Sequence, residues 1–268
     1  MTEFFKKLII DILSKFDLMI SRKSLYDEHL RNSNSFLNDN PTHDLEFLST
    51  IEPSQRSTSI DLLSKSKSQL RQDLFVLSEL NFPRTGYFVE FGATNGIDIS
   101  NSFLLEREFN WSGILAEPAR TWHKDLLKNR NAHIETKCVW NQSNQMIQFH
   151  ETEDGELSSE ESFINSDFHS KKRITNHTYE VETITLIDML KQFEAPKLID
   201  YLSIDTEGSE YKILQAFDFD LYKFKVITCE HNFSKNREKI FNLLIENGYS
   251  RKFEHISKYE DWYVLEKT

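Results

Sequence analysis

The sequence predicts an α/β fold in which a mainly parallel sheet of seven strands is covered by helices on both faces. From residue 87 onward, short apolar runs alternate with segments of helical periodicity. A glycine-containing turn follows the first of these runs, and only the link Ser257–Asp261 separates the last two. Because so short a link favours antiparallel pairing, we expect a mixed sheet that ends in an antiparallel hairpin.

The elements follow in order from residue 69. A helix is expected over Gln69–Leu80 and is ended by Asn81–Pro83. The strand candidates are 87–91, 113–116, 133–139, 199–204, 224–230, 248–255 and 262–266. The remaining helix candidates are 99–109, 119–129, 185–193, 208–216 and 235–247. A polar stretch at 141–180 interrupts the alternation and predicts an inserted hairpin with a mobile lid over the site.

Residues 1–66 differ in character from the domain expected at 67–268. Apolar side chains recur at helical spacing between Phe4 and Ile20, with lysines and aspartates between them, which predicts an amphipathic helix. Its apolar stripe suits packing on the protein itself or on a second copy in a homo-oligomer. Peripheral contact with a membrane surface is the alternative. Residues 21–66 are rich in Ser, Asn and Asp and are expected to form a loosely packed helical arm or linker.

Composition limits the partners. The 268 residues carry a formal net charge of −11, which argues against a nucleic-acid partner and leaves a small molecule or glycan as substrate. The two cysteines, Cys138 and Cys229, lie in apolar runs and are expected to be buried thiols of a reducing compartment. With no signal peptide or membrane span recognised, we expect a cytoplasmic protein, which the N-terminal helix could bring to the inner face of the membrane.

The first chemical motif is the turn E-x-G-x-x-x-G, formed by Glu90, Gly92 and Gly96. A second acid, Glu117, closes the next apolar run 21 residues after Gly96, near the interval of about 20 residues at which α/β sites place a ribose-binding carboxylate. The turn lacks the G-x-G-x-x-G spacing of dinucleotide sites, and Glu90 would repel a phosphate. Two carboxylates suit a positively charged, phosphate-free nucleoside such as S-adenosylmethionine. An ordinary strand–helix turn and an NAD-dependent oxidoreductase remain alternatives.

Two further strand ends carry polar side chains. Asp205 closes an apolar run and Glu207 follows it, at the kind of strand end where open α/β sheets bind ligands. Helix capping is the alternative, and we assign that role to Glu210. The next strand candidate ends in Glu230 and His231, which would lie beside Asp205 if the two strands are adjacent.

With these motifs in order, the chain resembles the FkbM-type family of S-adenosylmethionine-dependent methyltransferases over roughly residues 68–266. The resemblance rests on Ser68–Asp73, Phe88–Gly96, Ile114–Pro118, Leu202–Glu210 and Glu230–Asn232. It implies the class I methyltransferase fold, a Rossmann-like seven-stranded sheet with a reversed last strand. Most members are O-methyltransferases, many of which act on sugars in polysaccharide biosynthesis or on natural products. The chain departs from the family at Ser203, where a lysine is usual.

The resemblance also implies roles for particular residues. The implied contacts with S-adenosylmethionine are Gln69, Gln72, Glu90, Gly92, Ala93, Asn95, Gly96, Glu117, Pro118, Cys138, Val139 and Asp205, with Trp140 as a ring neighbour. Asp205 would lie nearest the reacting centre, with Glu207 or His231 as general base. By similarity to macrocin-type sugar O-methyltransferases, Asp205 and Glu230 could also bind Mg²⁺, since hard cations prefer oxygen ligands.

The expected acceptor is a hydroxyl of a sugar in a surface polysaccharide or glycan precursor. Four aromatic side chains of the 141–180 insert could stack on a sugar face or only pack the insert against the core. They are Phe149, Phe163, Phe168 and Tyr179. Methylation of nitrogen or of protein, and a non-catalytic module that keeps the fold, remain alternatives.

Overall fold

The computed structural model of the chain describes residues 41–152, 159–160, 175–206 and 208–266. The helices are α1 (Pro41–Thr50), α2 (Arg56–Leu62), α3 (Gln72–Glu79), α4 (Phe103–Phe109), α5 (Arg120–Asn129), α6 (Leu186–Gln192), α7 (Glu210–Gln215), α8 (Arg237–Glu246) and α9 (Glu254–Ser257), with a 3₁₀ turn at Pro53–Gln55. The strands are β1 (Tyr87–Phe91), β2 (Ser112–Ala116), β3 (His133–Glu135), β4 (Cys138–Trp140), β5 (Met146–Thr152), β6 (Ser159–Glu160), β7 (Thr175–Thr185), β8 (Leu198–Ile204), β9 (Lys223–Glu230), β10 (Tyr249–Lys252) and β11 (Glu260–Leu265). In these ranges no helix has the length and apolar character needed to cross a bilayer.

Seven strands form the main sheet in the order β3-β2-β1-β8-β9-β11-β10. All neighbours pair in parallel except β11, which runs antiparallel to both β9 and β10. The predicted seven-stranded mixed sheet with a terminal antiparallel hairpin is therefore confirmed. Because β11 is reversed, it begins where β9 ends, and Glu260 pairs with Glu230. The carboxyl ends of β1, β2, β8 and β9 thus share one edge with the first residue of β11.

The central strands are apolar on both faces, as expected for parallel strands covered by helices on each side. Phe88 and Val89 of β1, and Tyr201 and Leu202 of β8, have no solvent exposure. The two strands lie side by side, with Glu90 level with Ser203. Both strands therefore deliver the residues that follow them to the same edge of the sheet.

The structure differs from the prediction over 133–139, which forms two strands. β3 ends at Glu135, whose Oε1 accepts a hydrogen bond from the Lys137 backbone N–H at 2.9 Å and so closes a turn. The chain then enters β4, which pairs in parallel with β7 in a second sheet of order β4-β7-β5-β6. The expected inserted hairpin corresponds to β5 and β7, which pair antiparallel. The lid falls largely on residues outside the described ranges.

The N-terminal region is only partly described. The predicted amphipathic helix between Phe4 and Ile20 lies outside the described residues. From residue 41 onward the structure differs from the loosely packed arm, because Phe47, Leu48 and Ile51 are buried in a core cluster that also contains Trp262 of β11.

Polar contacts hold this segment against the domain. The Nε2 atom of His43 lies 3.1 Å from the Ile256 carbonyl oxygen. The buried Arg71 guanidinium donates to both carboxylate oxygens of Asp44, at 2.7 and 3.1 Å. The packed domain therefore begins before residue 67.

Replacing Phe47 by Ala tests this packing. We expect the free energy of unfolding to fall by about 3–5 kcal/mol, because the ring is completely buried and its loss leaves a cavity. Urea denaturation followed by circular dichroism gives the value. Phe233→Ala is the matched control, because that ring is 69% exposed and its loss should change the stability by less than about 0.5 kcal/mol. Equal stability of Phe47→Ala and the parent would contradict the packing.

Candidate functional site

A cleft opens at the edge of the sheet where β1 and β8 end and β11 begins. Five of its lining residues were expected from the sequence: Gln69, Gln72, Glu90, Gly92 and Asp205. Four were not: Phe91, Ile99, Asn101 and Glu260. The structure therefore brings together residues from four separate parts of the chain.

The two glycines of the turn are required by close packing. Gly92 has a φ of +73°, and a Cβ added to it would stand 2.5 Å from the carbonyl oxygen of Asp205. Gly96 has a φ of +81°, and a Cβ there would meet the side chains of Arg130 and Leu126 at 2.6 and 2.7 Å. Both φ values are in the left-handed region that favours glycine. The turn is therefore fixed against β8 on one side and α5 on the other.

Ala93 and Asn95 shape this turn and do not line the cleft. Ala93 is fully buried. The Oδ1 atom of Asn95 accepts hydrogen bonds from the backbone N–H groups of Ile97 and Asp98, both at 2.9 Å. This local bonding pattern is typical of an Asx turn. The structure thus places both predicted cofactor contacts in the turn beside the cleft.

Glu117, which directly follows β2, is buried and holds the glycine turn in place. Its two carboxylate oxygens accept backbone N–H groups of Thr94 and Ala119, each at 2.8 Å. Burial raises the pKa of its carboxyl to about 7, against the effect of these two hydrogen bonds, and the nearby Asp205 and Glu151 add to the rise. Each oxygen keeps lone pairs beyond the one used, which a ligand hydroxyl could occupy.

Glu90 lies in the cleft, but its carboxylate is used to fold the protein. Its Oε1 accepts the Asn101 backbone N–H at 2.6 Å, and its Oε2 accepts the hydroxyls of Ser100 and Ser102. The Arg130 guanidinium lies 4.0 Å from Oε2. The charge of Glu90 is therefore balanced by internal partners, which changes the role given to this residue by the sequence argument.

Asp205 follows β8 and is half-buried at the cleft. The next acid, Glu207, lies outside the described residues. Glu210 is buried, and its Oε1 accepts the backbone N–H groups of Thr206 and Gly208 at 3.2 and 2.8 Å. Burial raises the pKa of Glu210 to about 6. Glu210 therefore fixes the turn before α7, and of the two described acids here, Asp205 is the one that lines the cleft.

His231 is buried behind the turn that follows β9 and does not line the cleft. Its Nδ1 accepts the Phe233 backbone N–H at 3.0 Å, so the ring proton is on Nε2. Nε2 faces Asp261 at 3.8 Å, and Asp261 in turn binds Arg237 through both oxygens. Burial lowers the pKa of His231. Because its basic nitrogen is already engaged, this geometry does not favour the general-base role expected from the sequence.

Glu260 is the acid that sequence reasoning missed. It is buried, and its two carboxylate oxygens accept the Gln72 side-chain amide at 2.7 Å and the Trp262 indole N–H at 2.8 Å. Burial raises its pKa to about 7. Next to it, the Tyr259 hydroxyl donates to Gln69 Oε1. The only sequence signal was the reversed direction of the last strand, which brings its first residue to the cleft.

The described residues do not support the predicted Mg²⁺ pair. Asp205 lines the cleft, and Glu230 is the buried last residue of β9. Within the described ranges, no group of three or more His, Cys, Asp or Glu side chains is arranged to hold a metal ion.

Cys138 and Val139 lie in β4 of the second sheet and do not continue the third strand of the main sheet. Cys138 packs with Ala119 and Phe149. Beside them, the Lys212 ammonium lies 4.9 Å from the centre of the Trp140 ring. The predicted adenine neighbours are thus part of the packing between the two sheets.

The two described aromatic candidates of the insert are engaged in packing. Phe149 is buried against the Tyr179 ring. The Tyr179 hydroxyl donates to Glu151, and the Arg120 guanidinium lies 4.1 Å from the centre of its ring. The same hydroxyl lies 3.4 Å from the Pro118 carbonyl oxygen. Phe163 and Phe168 lie outside the described residues.

Two glycine substitutions test the contact between the turn and β8. Gly92→Ala combines a left-handed backbone with a clash against a backbone oxygen, and we expect it to lower the free energy of unfolding by about 2–4 kcal/mol. Gly248→Ala is the control, because Gly248 has a φ of +85° but open space, with the nearest atom at 4.0 Å. This substitution should lower the free energy of unfolding by only about 1–2 kcal/mol. Equal losses in urea denaturation would contradict the contact.

The buried Glu117 predicts a pH dependence of stability. Its pKa of about 7 in the folded chain exceeds the ordinary value of 4.5, so the folded state holds the proton more tightly. The stability from this group is fully present below pH 4.5 and is lost as the pH rises through 7. Glu117→Gln cannot lose a proton, so its decline in stability between pH 5 and 8 should be smaller by on the order of 1–3 kcal/mol.

Urea denaturation at pH 5, 6, 7 and 8 measures this difference in slope. Glu246→Gln, an exposed change at the end of α8, should follow the parent. The burial argument would be wrong if Glu117→Gln and the parent lost stability in parallel.

Comparisons with known proteins identify the family of the chain. Residues 90–260, more than half of the chain, match the family described as the methyltransferase FkbM domain. The crystal structure of a fibrillarin/Nop5p complex contains a chain that is similar at 14% identity, with a TM-score of 0.32 over 80% of this chain and 82% of that one. No curated protein matches. The chain therefore belongs to the FkbM methyltransferase family and has the class I methyltransferase fold.

Proposed function

We propose that this methyltransferase takes its methyl group from S-adenosylmethionine and transfers it to a hydroxyl group. The proposed acceptor is a sugar of a surface polysaccharide or glycan precursor. The observation that carries the proposal is the cleft in which the glycine turn, Asp205 and Glu260 meet.

The residues of the cleft suit this cofactor. Gly92 and Asp205 both line the cleft, because a residue without a Cβ lets their backbones approach closely. The acceptor-rich lining, with Asp205 and Glu260, favours a cation over a phosphate. Glu117 would accept hydrogen bonds from the ribose hydroxyls, as the acid at the second strand end does in other α/β sites. When bound, S-adenosylmethionine supplies a methyl group activated by positive charge on sulfur.

Asp205 is the acid we assign to the acceptor. It is half-buried in the cleft, so its carboxylate can reach a ligand there. In this role it accepts the hydrogen bond of the acceptor hydroxyl, orients the oxygen and takes the proton as the oxygen bonds to carbon. A placed base of this kind contributes about 10²–10⁴-fold to the rate. Glu207 remains the alternative base on the sequence alone.

Phe233 is the exposed ring that we propose as a surface for a sugar. Its side chain is 69% exposed, on a turn where Asn232 and Phe233 have φ values of +43° and +55°. The Tyr259 carbonyl accepts the backbone N–H groups of His231 and Asn232 at 2.9 and 3.1 Å, and the Tyr259 hydroxyl reaches Gln69 in the cleft. The turn is thereby tied to the cleft lining. The apolar face of a pyranose suits such an aromatic ring.

The proposed location is the cytoplasm. Cys138 and Cys229 are both free and buried, as expected in a reducing compartment. Contact with the inner face of the membrane or homo-oligomer formation through the N-terminal helix is proposed from the sequence alone.

Two measurements test the proposed function. Isothermal titration should show binding of S-adenosylmethionine and none of NAD. Methyl transfer from the labelled cofactor to a panel of nucleotide sugars and short glycans should then identify an acceptor. Tight NAD binding without binding of S-adenosylmethionine would refute the proposal.

Asp205→Asn tests the assigned base. We expect kcat for the acceptor to fall about 10²–10⁴-fold, since the amide cannot take the proton. The affinity for S-adenosylmethionine should fall much less than kcat, by about tenfold at most, because only one of the acids that favour the cation is lost. The control is Asp220→Asn, an exposed change in the loop before β9 that should leave kcat unchanged. Unchanged kcat in Asp205→Asn would remove Asp205 from this role.

A further inference from the structure

The Glu260 carboxylate is a buried charge that lacks a cation. It is 4% exposed, and its hydrogen-bond donors, the Gln72 amide and the Trp262 indole, are both neutral. Within the described ranges no Lys, Arg or His side chain lies at ion-pair distance from it. Taking such a carboxylate out of water without a cation is costly.

Two other buried acids of the domain have a cation nearby. Asp261, the next residue along β11, binds Arg237 at 2.8 Å and Arg251 at 3.4 Å. Glu90 has Arg130 at 4.0 Å. Glu117 and Glu210 are also buried without an ion pair among the described residues, but of these three acids only Glu260 lines the cleft. Its pKa is raised to about 7, first by burial and also by the negative charge of Asp205 and Asp261, as expected for a carboxylate short of positive charge.

A second group in the same cleft is an unsatisfied acceptor. Asn101 is 7% exposed, and its buried Oδ1 has no hydrogen-bond donor among the described residues. Its side-chain amide donates to Ser203 Oγ at 3.0 Å, and its backbone N–H donates to Glu90 at 2.6 Å. These two bonds fix the residue, so that Oδ1 stays without a donor. Asn101 and Glu260 both line the cleft.

A primary ammonium meets the needs of both groups. It is a compact cation with three donors, whereas a guanidinium is a wide planar fork. A metal ion is a poorer fit, because no group of three potential ligands occurs among the described residues.

We propose that Glu260 and the Oδ1 atom of Asn101 form an ammonium site, and that the α-ammonium of the cofactor's amino-acid portion occupies it. This inference rests on the proposed function, because it requires S-adenosylmethionine in the cleft. It makes Glu260 a binding residue for the cofactor at the start of the last strand.

The test compares two ligands that differ in the amino-acid portion. S-adenosylhomocysteine carries the α-ammonium, and methylthioadenosine lacks that portion altogether. In Glu260→Gln, isothermal titration should show about 10–100-fold weaker binding of S-adenosylhomocysteine, as for loss of a charged hydrogen-bond acceptor. Methylthioadenosine should bind within about threefold of the parent. Retained binding of methylthioadenosine also shows that the variant is folded.

Asn101→Ala should weaken the binding of S-adenosylhomocysteine by about 3–10-fold, because a neutral hydrogen-bond acceptor is lost. The binding of methylthioadenosine should again stay near that of the parent. If Glu260→Gln fails to fold, the Asn101→Ala variant provides the test of the ammonium site. Glu246→Gln is the matched control at an exposed glutamate and should bind both compounds as the parent does.

The outcomes separate this inference from the proposed function. A parent protein that binds neither compound refutes the proposed function and the ammonium site with it. A parent that binds both, with an unchanged ratio of the two affinities in Glu260→Gln and Asn101→Ala, refutes the ammonium site alone. Equal weakening of both compounds in a folded Glu260→Gln variant also refutes it.

Discussion

The close approach of Gly92 to the Asp205 carbonyl is the constraint on which the site depends. The strands β1 and β8 lie side by side, and at their carboxyl ends the backbones come so near that a Cβ on Gly92 would stand 2.5 Å from that oxygen. Only glycine fits there with a φ of +73°. As a result, the turn after β1 and the acid after β8 face one space. The reversed β11 begins at the same edge and adds Glu260 to it.

Several acids line or adjoin the cleft, and three of them hold the loops around it through hydrogen bonds. Glu90, Glu117 and Glu210 each accept backbone N–H groups from neighbouring turns, so their first task is to hold the loops that form the cleft. Asp205 and Glu260 line the cleft together with Glu90. The sequence predicted that Glu90 would favour the positive charge of the cofactor, and we now assign that role to Glu260. The cleft is still lined by acids, as predicted, but one of them, Glu260, lies at the start of β11, which no sequence motif identified.

The sequence predicted most of the fold and part of the site. Apolar runs of strand length and the short Ser257–Asp261 link were enough for the sheet and its reversed last strand, because burial on both faces leaves a clear pattern. The break after Glu135 could not be predicted, since one side-chain hydrogen bond to Lys137 divides an otherwise continuous run. Glu260 was predicted to lie in the link between the last two strands. Its place at the cleft follows from the pairing of β11 with β9, which the sequence does not show. The His231 ring accepts a hydrogen bond from the Phe233 backbone N–H, a contact that spacing does not reveal.

A crystal structure of the complex with S-adenosylhomocysteine would decide between these assignments. We expect the ligand in the cleft beside Gly92, with its ribose hydroxyls on Glu117 and its ammonium on Glu260 and Asn101. A ligand bound elsewhere, with Glu117 and Glu260 keeping only the partners they have without it, would show that the cleft is not the cofactor site.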